Sequence, residues 1–250
     1  MTTSTAPDVL DGRVALITGG AAGIGRAIAQ AYAARGVRCV LVDVAADAVA
    51  ETAAQIPHAI GIAADVSSPS QSREAVAQAV GTTGRLDILV NSAGVGAIRP
   101  ALELTEEDWD RTVDINMKGT FFMCQAAGAH MLQAGYGRVI NIASKCGTIA
   151  IADHAAYSAS KFGVIGLSKV LAVEWSSLGV TVNTISPTVV LTELGKKVWH
   201  GDAAEQMLAK IPARRFATPE DVAHAAVFLA SDSGIVTGHD LLVDGGYVAQ

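Results

Sequence analysis

The sequence predicts an α/β fold: one domain on a doubly wound parallel sheet of seven strands, with helices on both faces. Three observations predict it. Short apolar runs alternate along the chain with longer helical patterns, which implies strands crossed over by helices and a sheet covered on both sides. The first apolar run leads straight into a glycine-rich turn. The 250 residues are 50% hydrophobic, much of it alanine, with only 5% aromatics, and such small side chains suit close helix-on-sheet layers.

The elements follow in order. Residues 13–18 are a compact apolar run ending at glycines, hence a buried strand. An Ala-rich helical pattern covers 26–35, a second strand 38–43, a helix about 45–55 and a third strand 59–65. A helix begins near Ser68-Pro69, since serine caps and proline tolerates the first helical position. A fourth strand covers 86–93. A long helical stretch opens at Thr105, a capping residue followed by the acids Glu106, Glu107 and Asp108. The fifth strand is 138–143, the next helix carries Tyr157 and runs to about Ser177, and the last strands are 180–185 and 240–243. Between Pro187 and Pro219 the rhythm breaks, with a short helix near 203–210; a long excursion of this kind in a compact domain reads as a lid, at about 188–212. Residues 1–11 read as a flexible tail and 12–250 as the domain.

Two motifs carry chemistry. In Thr18-Gly19-Gly20-Ala21-Ala22-Gly23-Ile24-Gly25, strand, glycine turn and helix make a phosphate-binding arrangement. Gly19 permits the turn, Gly23 lets backbone approach a pyrophosphate, and Gly25 allows close packing of helix on strand. The spacing is Gly-x-x-x-Gly-x-Gly, not the general G-x-G-x-x-G. Asp43 ends the second strand about 20 residues on, where a carboxylate bonds a ribose 2′-hydroxyl and repels a 2′-phosphate, so it selects NAD over NADP. The second motif is Tyr157-Ser158-Ala159-Ser160-Lys161. Residues i and i+4 share a helix face, so an ammonium sits beside a phenol and is expected to lower its pKa, giving a general acid/base for a proton on oxygen.

Together these segments, from Gly12 to Tyr247, resemble the short-chain dehydrogenase/reductase family in its form of roughly 250 residues. Asp65-Val66 matches the family's adenine-contacting pair. Asn91-Ser92-Ala93-Gly94 matches its Asn-Asn-Ala-Gly motif with Ser92 for the second Asn, and Asn116 the asparagine that interrupts the long fourth helix. Ser144, Tyr157 and Lys161 match the catalytic residues, Pro187 begins the Pro-Gly motif with Thr188 for its glycine, and Asp244-Gly245-Gly246 matches the closing turn. The resemblance implies a Rossmann-type fold and a catalytic set of Asn116, Ser144, Tyr157 and Lys161. Tyr157 is the acid/base, Lys161 supports it and binds nicotinamide ribose, Ser144 holds the substrate oxygen, and Asn116 holds a water that links Lys161 to solvent. It places NAD against Gly19, Gly23, Ile24, Gly25, Asp43, Asp65, Val66, Asn91, Ala93, Tyr157, Lys161, Pro187, Val190 and Thr192. It further implies a homotetramer.

Other classes are disfavoured. A net charge of −6 without a basic block points to no nucleic acid, and no apolar stretch reaches the length of a membrane span. Cys39, Cys124 and Cys146 share no metal or redox spacing and the six histidines form no zinc pair, so no metal is expected and a reducing cytoplasm fits.

Substrate contacts are expected from Ser144, Cys146, His154, Tyr157, Thr188 and Trp199, with Lys145, Thr148, Asp153, Val189 and His200 nearby. The set is polar and suits a small hydroxyl-rich alcohol or its ketone. Ser186-Pro187-Thr188-Val189-Val190 resembles the Pro-Thr-Val-Val segment of xylulose reductases and related sugar-alcohol dehydrogenases. The reading is an NAD-dependent oxidoreductase on a four- or five-carbon alditol such as threitol, erythritol, xylitol or arabinitol. The alternatives are a 3-oxoacyl thioester reductase, a secondary-alcohol or steroid dehydrogenase, and a non-enzymatic cofactor-sensing member. The intact catalytic set argues against the last.

Overall fold

A computed structural model of the chain describes residues 9–192, 195, 199–231 and 234–250. Seven strands, β1 (Val14–Thr18), β2 (Arg38–Asp43), β3 (Ile60–Ala63), β4 (Ile88–Asn91), β5 (Gly137–Ile142), β6 (Val180–Pro187) and β7 (Asp240–Val243), form one sheet in the order β3-β2-β1-β4-β5-β6-β7. Every pairing is parallel. The helices are α1 (Gly23–Ala33), α2 (Ala46–Ala54), α3 (Pro69–Thr83), α4 (Glu106–Val113), α5 (Thr120–Ala134), α6 (Ala155–Trp175), α7 (Gly201–Ala209) and α8 (Pro219–Ser231).

The strands are buried on both faces, which is why they read as continuous apolar runs. Alternation then sorts their side chains. Ala15, Ile17, Leu41, Ile88 and Val90 face a core completed by α1 and α8, while Val14, Leu16, Val40, Val42 and Leu89 face one completed by α3, α5 and α6. The helix starts follow local chemistry: Ser68 caps α3 with Pro69 in its first turn, and Thr105 accepts from Asp108 N at 3.1 Å.

Three expectations need correction. Leu10, assigned to the tail, is fully buried beside α1, and Gly12 N donates to Gly36 O at 3.1 Å, so the packed domain begins before residue 12. Residues 1–8 of that tail lie outside the described residues. The first helix starts at Gly23, three residues earlier than expected, because the glycine motif supplies its first turn. The interruption expected at Asn116 in the long fourth helix takes the form of a π-helical segment, Asp114–Gly119, between α4 and α5. Helix α8 was not expected, although its start is legible: Thr218 Oγ1 accepts from Asp221 N at 3.3 Å and Asp221 Oδ2 from Thr218 N at 2.8 Å, a reciprocal cap around Pro219.

Candidate active site

The order of the sheet reverses between β1 and β4, and ligands of open α/β sheets bind at the carboxyl ends of strands beside such a switch. The glycine turn leaves β1 there. Gly19 has φ +64°, and a Cβ on it would lie 2.9 Å from Ala93 N. A Cβ on Gly25 would collide with the Gly19 carbonyl. Ala22, at the N-cap of α1, offers no side-chain oxygen to the first-turn amides around Ile24, which stay available to an anion. Across the gap stands Thr192, whose Cγ2 would be 3.2 Å from a Cβ on Gly23 (φ +54°). Glycine turn and lid base therefore approach one another, and a bulky residue at either glycine would fill the cradle.

Asp43 sits at the end of β2 with Oδ2 accepting from Ala21 N at 3.2 Å and Oδ1 from Ala45 N at 3.1 Å. The carboxylate thus both holds the glycine turn and serves the start of α2. On the adenine side, Asp65 Oδ1 accepts from Ser67 N at 2.9 Å and Ser67 Oγ at 2.8 Å, and Val66 packs under Gly119.

Thr18 is a residue that sequence reading missed. Its Oγ1 accepts from Ser92 N and Ala93 N, both at 3.1 Å, and so ties the Asn91–Gly94 turn to the glycine turn. Asn91 points its side chain into the protein instead: Nδ2 donates to Asn141 Oδ1 at 2.8 Å and to Cys124 at 3.3 Å. Asn141 continues the chain to Ser168 on α6 at 2.9 Å, so the motif braces β4, β5 and α6.

Asn116 lies in the π-helical segment, a local widening frequent at functional sites. Its side chain clamps Val95 at both ends, accepting from N and donating to O at 2.8 Å each, and donates to Ser160 Oγ at 3.0 Å. Lys161, to which a water held by Asn116 is the expected link, stands nearby. Both flank Gly94, where an added Cβ would lie 3.3 Å from Asn116 Oδ1 and 3.6 Å from Lys161 Nζ.

Ser144 follows β5, where its Oγ accepts from Cys146 N at 3.2 Å and caps a 3-10 turn, Lys145–Gly147. Gly147 lies against the backbone of Lys161, which presses this turn onto α6. Ser144 lies close enough to the Tyr157 phenol to favour its ionised form. Lys161 is buried, with Nζ donating to Ile142 O at 2.8 Å and lying 5.7 Å from the Tyr157 ring centroid. The structure therefore gathers Ser144, Tyr157 and Lys161, but their electrostatics differ from expectation. Burial pushes the Tyr157 phenol up to about 12; the neighbouring Ser144 hydroxyl opposes this, and Lys161 contributes no resolved lowering. Burial takes Lys161 itself down to about 8. The spacing set the pair on one face correctly, yet desolvation outweighs the neighbouring charge.

Around this centre His154 stands edge-on to Tyr157, ring centroids 6.1 Å apart, with Nδ1 at 2.6 Å from Ala152 O. Thr188 and Pro187 are buried at the end of β6. Val190 bridges to Ala217, and Trp199 leans on Phe216 at 6.0 Å. Cys146 is buried and burial raises its thiol pKa, so it is a wall and not a nucleophile. Of the lid, residues 193, 194 and 196–198 lie outside the described residues. Among the described residues, no group of three or more His, Cys, Asp or Glu is placed to hold a metal. No described helix is long and apolar enough to cross a membrane.

A family model described as enoyl-(acyl carrier protein) reductase matches residues 19–248. The chain belongs to the short-chain dehydrogenase/reductase family. It is 53% identical over 247 residues to D-threitol dehydrogenase of Mycolicibacterium smegmatis, covering 96% of this chain and 95% of that one. It is 43% identical over 241 residues to an NAD-dependent glycerol dehydrogenase of Listeria innocua, covering 95% and 94%. The crystal structure of gox2181 superposes with a TM-score of 0.94 at 32% identity, covering 97% and 99%. The protein is accordingly a dehydrogenase, an oxidoreductase acting on CH–OH groups, on a Rossmann-type fold.

Proposed function

We propose that this enzyme is an NAD-dependent polyol dehydrogenase that interconverts a small alditol, of four or five carbons, and its ketose. One observation carries the substrate class: 53% identity across nearly the whole chain to a D-threitol dehydrogenase. The polar rim of Ser144, His154 and Thr188 agrees with a hydroxyl-rich substrate. Asp43, poised over the glycine turn, supports NAD; a 2′-phosphate would meet its carboxylate. That repulsion, and a net charge of −6, disfavour an NADPH-linked reductase docking an acidic carrier protein.

The residues suggest how the reaction runs. A nicotinamide, when bound, supplies the hydride acceptor or donor. Tyr157 handles the proton on the substrate oxygen, and Ser144 bonds the same oxygen and stabilises charge developing there. With its pKa pushed up to about 12, Tyr157 carries its proton at neutral pH and is poised as an acid for ketone reduction. In the oxidative direction it must first become phenolate, and Lys161, still largely charged at pH 7 with a pKa of about 8, is the cation that stabilises it. Asn116 fixes the Val95 loop and Ser160, and so holds the helix that bears both. Exposed Trp109, Phe121, Phe162 and Val173 on α4, α5 and α6 support assembly into the homotetramer expected of the family.

The test is the initial rate of NAD⁺ and NADP⁺ reduction over a panel of alditols, secondary alcohols and, in reverse, a 3-oxoacyl thioester. NAD-linked turnover of one or two alditols is expected, falling roughly 10²- to 10⁴-fold in Tyr157→Phe. Activity confined to the thioester or an apolar ketone would overturn the reading.

A further inference from the structure

Lys145 directly follows the catalytic serine, and only 4% of its surface is exposed. Buried cations are ordinarily paired. Lys161 has the carbonyl of Ile142, and Arg13 and Arg85 share Asp87. Among the described residues, Lys145 Nζ has no nitrogen or oxygen acceptor. It lies 3.7 Å from the Met207 sulfur, a weak acceptor on α7, and 3.6 Å from the centroid of the Tyr247 ring. The nearby Asp244 carboxylate spends its oxygens on Gly246 N at 2.9 Å and Val248 N at 2.8 Å. The three donors of the residue after Ser144 are thus held between α7 and the C-terminal segment, with only a weak sulfur acceptor and a ring face to answer them.

A second unspent group stands at the end of the neighbouring strand. β5 and β6 run side by side to the rung Ala143 N to Ile185 O at 2.8 Å, beyond which Lys145 follows β5 in the 3-10 turn and Thr188 follows β6. The Thr188 hydroxyl is buried without a hydrogen-bond partner, although its backbone N is bonded to Val243 O at 3.2 Å. Orphaned polar atoms in an interior are uncommon, and an orphaned hydroxyl together with a buried ammonium that has only a sulfur acceptor, both just past adjacent strand ends, point to a polar ligand.

We propose that Lys145 and Thr188 bind the hydroxyls of the polyol that do not react, and so set the alditol's position over Ser144 and Tyr157. The assignment rests on the polyol reading above. A neutral hydroxyl suits the site better than a carboxylate, because Asp244 already offsets part of the lysine's charge. Burial also lowers the Lys145 pKa, so its charge is the weaker part of its role and its donors the stronger.

The experiment compares wild type with Lys145→Met, Lys145→Arg and Thr188→Val. Methionine keeps the length that packs on Tyr247 and Met207 but has no donor. With the preferred alditol, Lys145→Met is expected to raise KM about 10- to 100-fold with kcat nearly kept and the thermal midpoint unchanged; Thr188→Val should raise it severalfold, and Lys145→Arg should recover part of the loss. Turnover of 2,3-butanediol, which lacks the terminal hydroxyls, should not change. A parallel fall on alditol and diol, a fall in thermal midpoint with kcat, or no change at all would overturn the assignment while the polyol reading stood. A wild type preferring the four-carbon aldonate would overturn the choice of a neutral hydroxyl. A wild type inactive on every alditol would remove the polyol reading and this assignment with it.

Discussion

The two edges of one sheet treat buried charge in opposite ways. At the amino edge, Asp87 is 3% exposed and fully engaged. Its oxygens take Arg13 Nη1 at 3.0 Å, Arg85 Nη2 at 2.6 Å and Nε at 2.8 Å, and Val14 N at 2.9 Å. Tyr136 adds a ring between two guanidinium groups, 4.1 Å from Arg13 and 4.4 Å from Arg138. At the carboxyl edge, Lys161 and Lys145 are as deeply buried and, among the described residues, neither has a carboxylate in an ion pair. Fully paired charge serves stability. Charge left with donors to spare costs stability. The sheet is the same material at both ends; the difference lies in whether the charges have been answered from within.

The strongest way to break this comparison is Lys161→Met. If the carboxyl edge is built for chemistry, the variant should lose roughly 10²-fold or more in kcat while folding at least as well as wild type. The pH dependence gives the sign. Burial depresses the Lys161 pKa from 10.5 to about 8, so between those values the unfolded chain binds more protons than the folded one. Its contribution to stability is full above pH 10.5 and is lost as pH falls through about 8. Wild type minus variant, in urea midpoints converted to free energy, should therefore rise from pH 8 to pH 9, by up to about 1 kcal/mol. Taking the difference removes Cys39 and Cys124, whose pKa values burial raises from 9 to about 12 and which act oppositely above pH 9. A variant that unfolds readily at pH 7 would show the lysine to be structural after all.

Asp87→Ala examines the other edge. It leaves the Val14 amide without its partner and releases two arginines, of which Arg85 is half exposed and can return to water. The ion pairs are discounted for that exposure, and a loss of about 2–3 kcal/mol is expected, chiefly from the orphaned amide and the broken hydrogen bonds. Chemical denaturation should show the drop, while kcat at saturating substrate, measured well below the unfolding midpoint, should stay within about twofold. A kcat that fell with stability would mean that the two edges are coupled through the strands.

The contrast also marks what the sequence made legible. The glycine turn, Asp43 and the Tyr157–Lys161 pair lie in short windows where spacing dictates geometry, and the structure brings them to one edge as expected. The start of α8 was equally local, written in Thr218-Pro219-Glu220-Asp221, and went unread. The direction of the Tyr157 shift was not local at all. It depends on how completely the surrounding elements bury the phenol, which no four-residue spacing reports. Lys145 looked like one polar residue among several until Met207 and Tyr247, 62 and 102 positions away, closed over it without offering an oxygen. Asp87 lay unnoticed beside an apolar strand, since its partner amide is 73 residues distant.

Thr18 sharpens the comparison with the smallest effect, because it is a carboxyl-edge residue that behaves like an amino-edge one. Its hydroxyl oxygen accepts from Ser92 N and Ala93 N, 74 and 75 residues away, and it stands on the last position of β1, beside Asn91 in register. Thr18→Val keeps the shape and removes the acceptor. Both amides are only partly buried and can recover water, so about 1 kcal/mol of stability is expected to go, less than at Asp87. The loosened turn backs directly onto Gly19, whose cradle it forms, so KM for NAD⁺ should rise severalfold with KM for the alditol little changed. If instead the alditol KM moved and the NAD⁺ value held, the Asn91–Gly94 turn would be positioning substrate through Val95 and Asn116, and the division of labour along this edge would have to be redrawn.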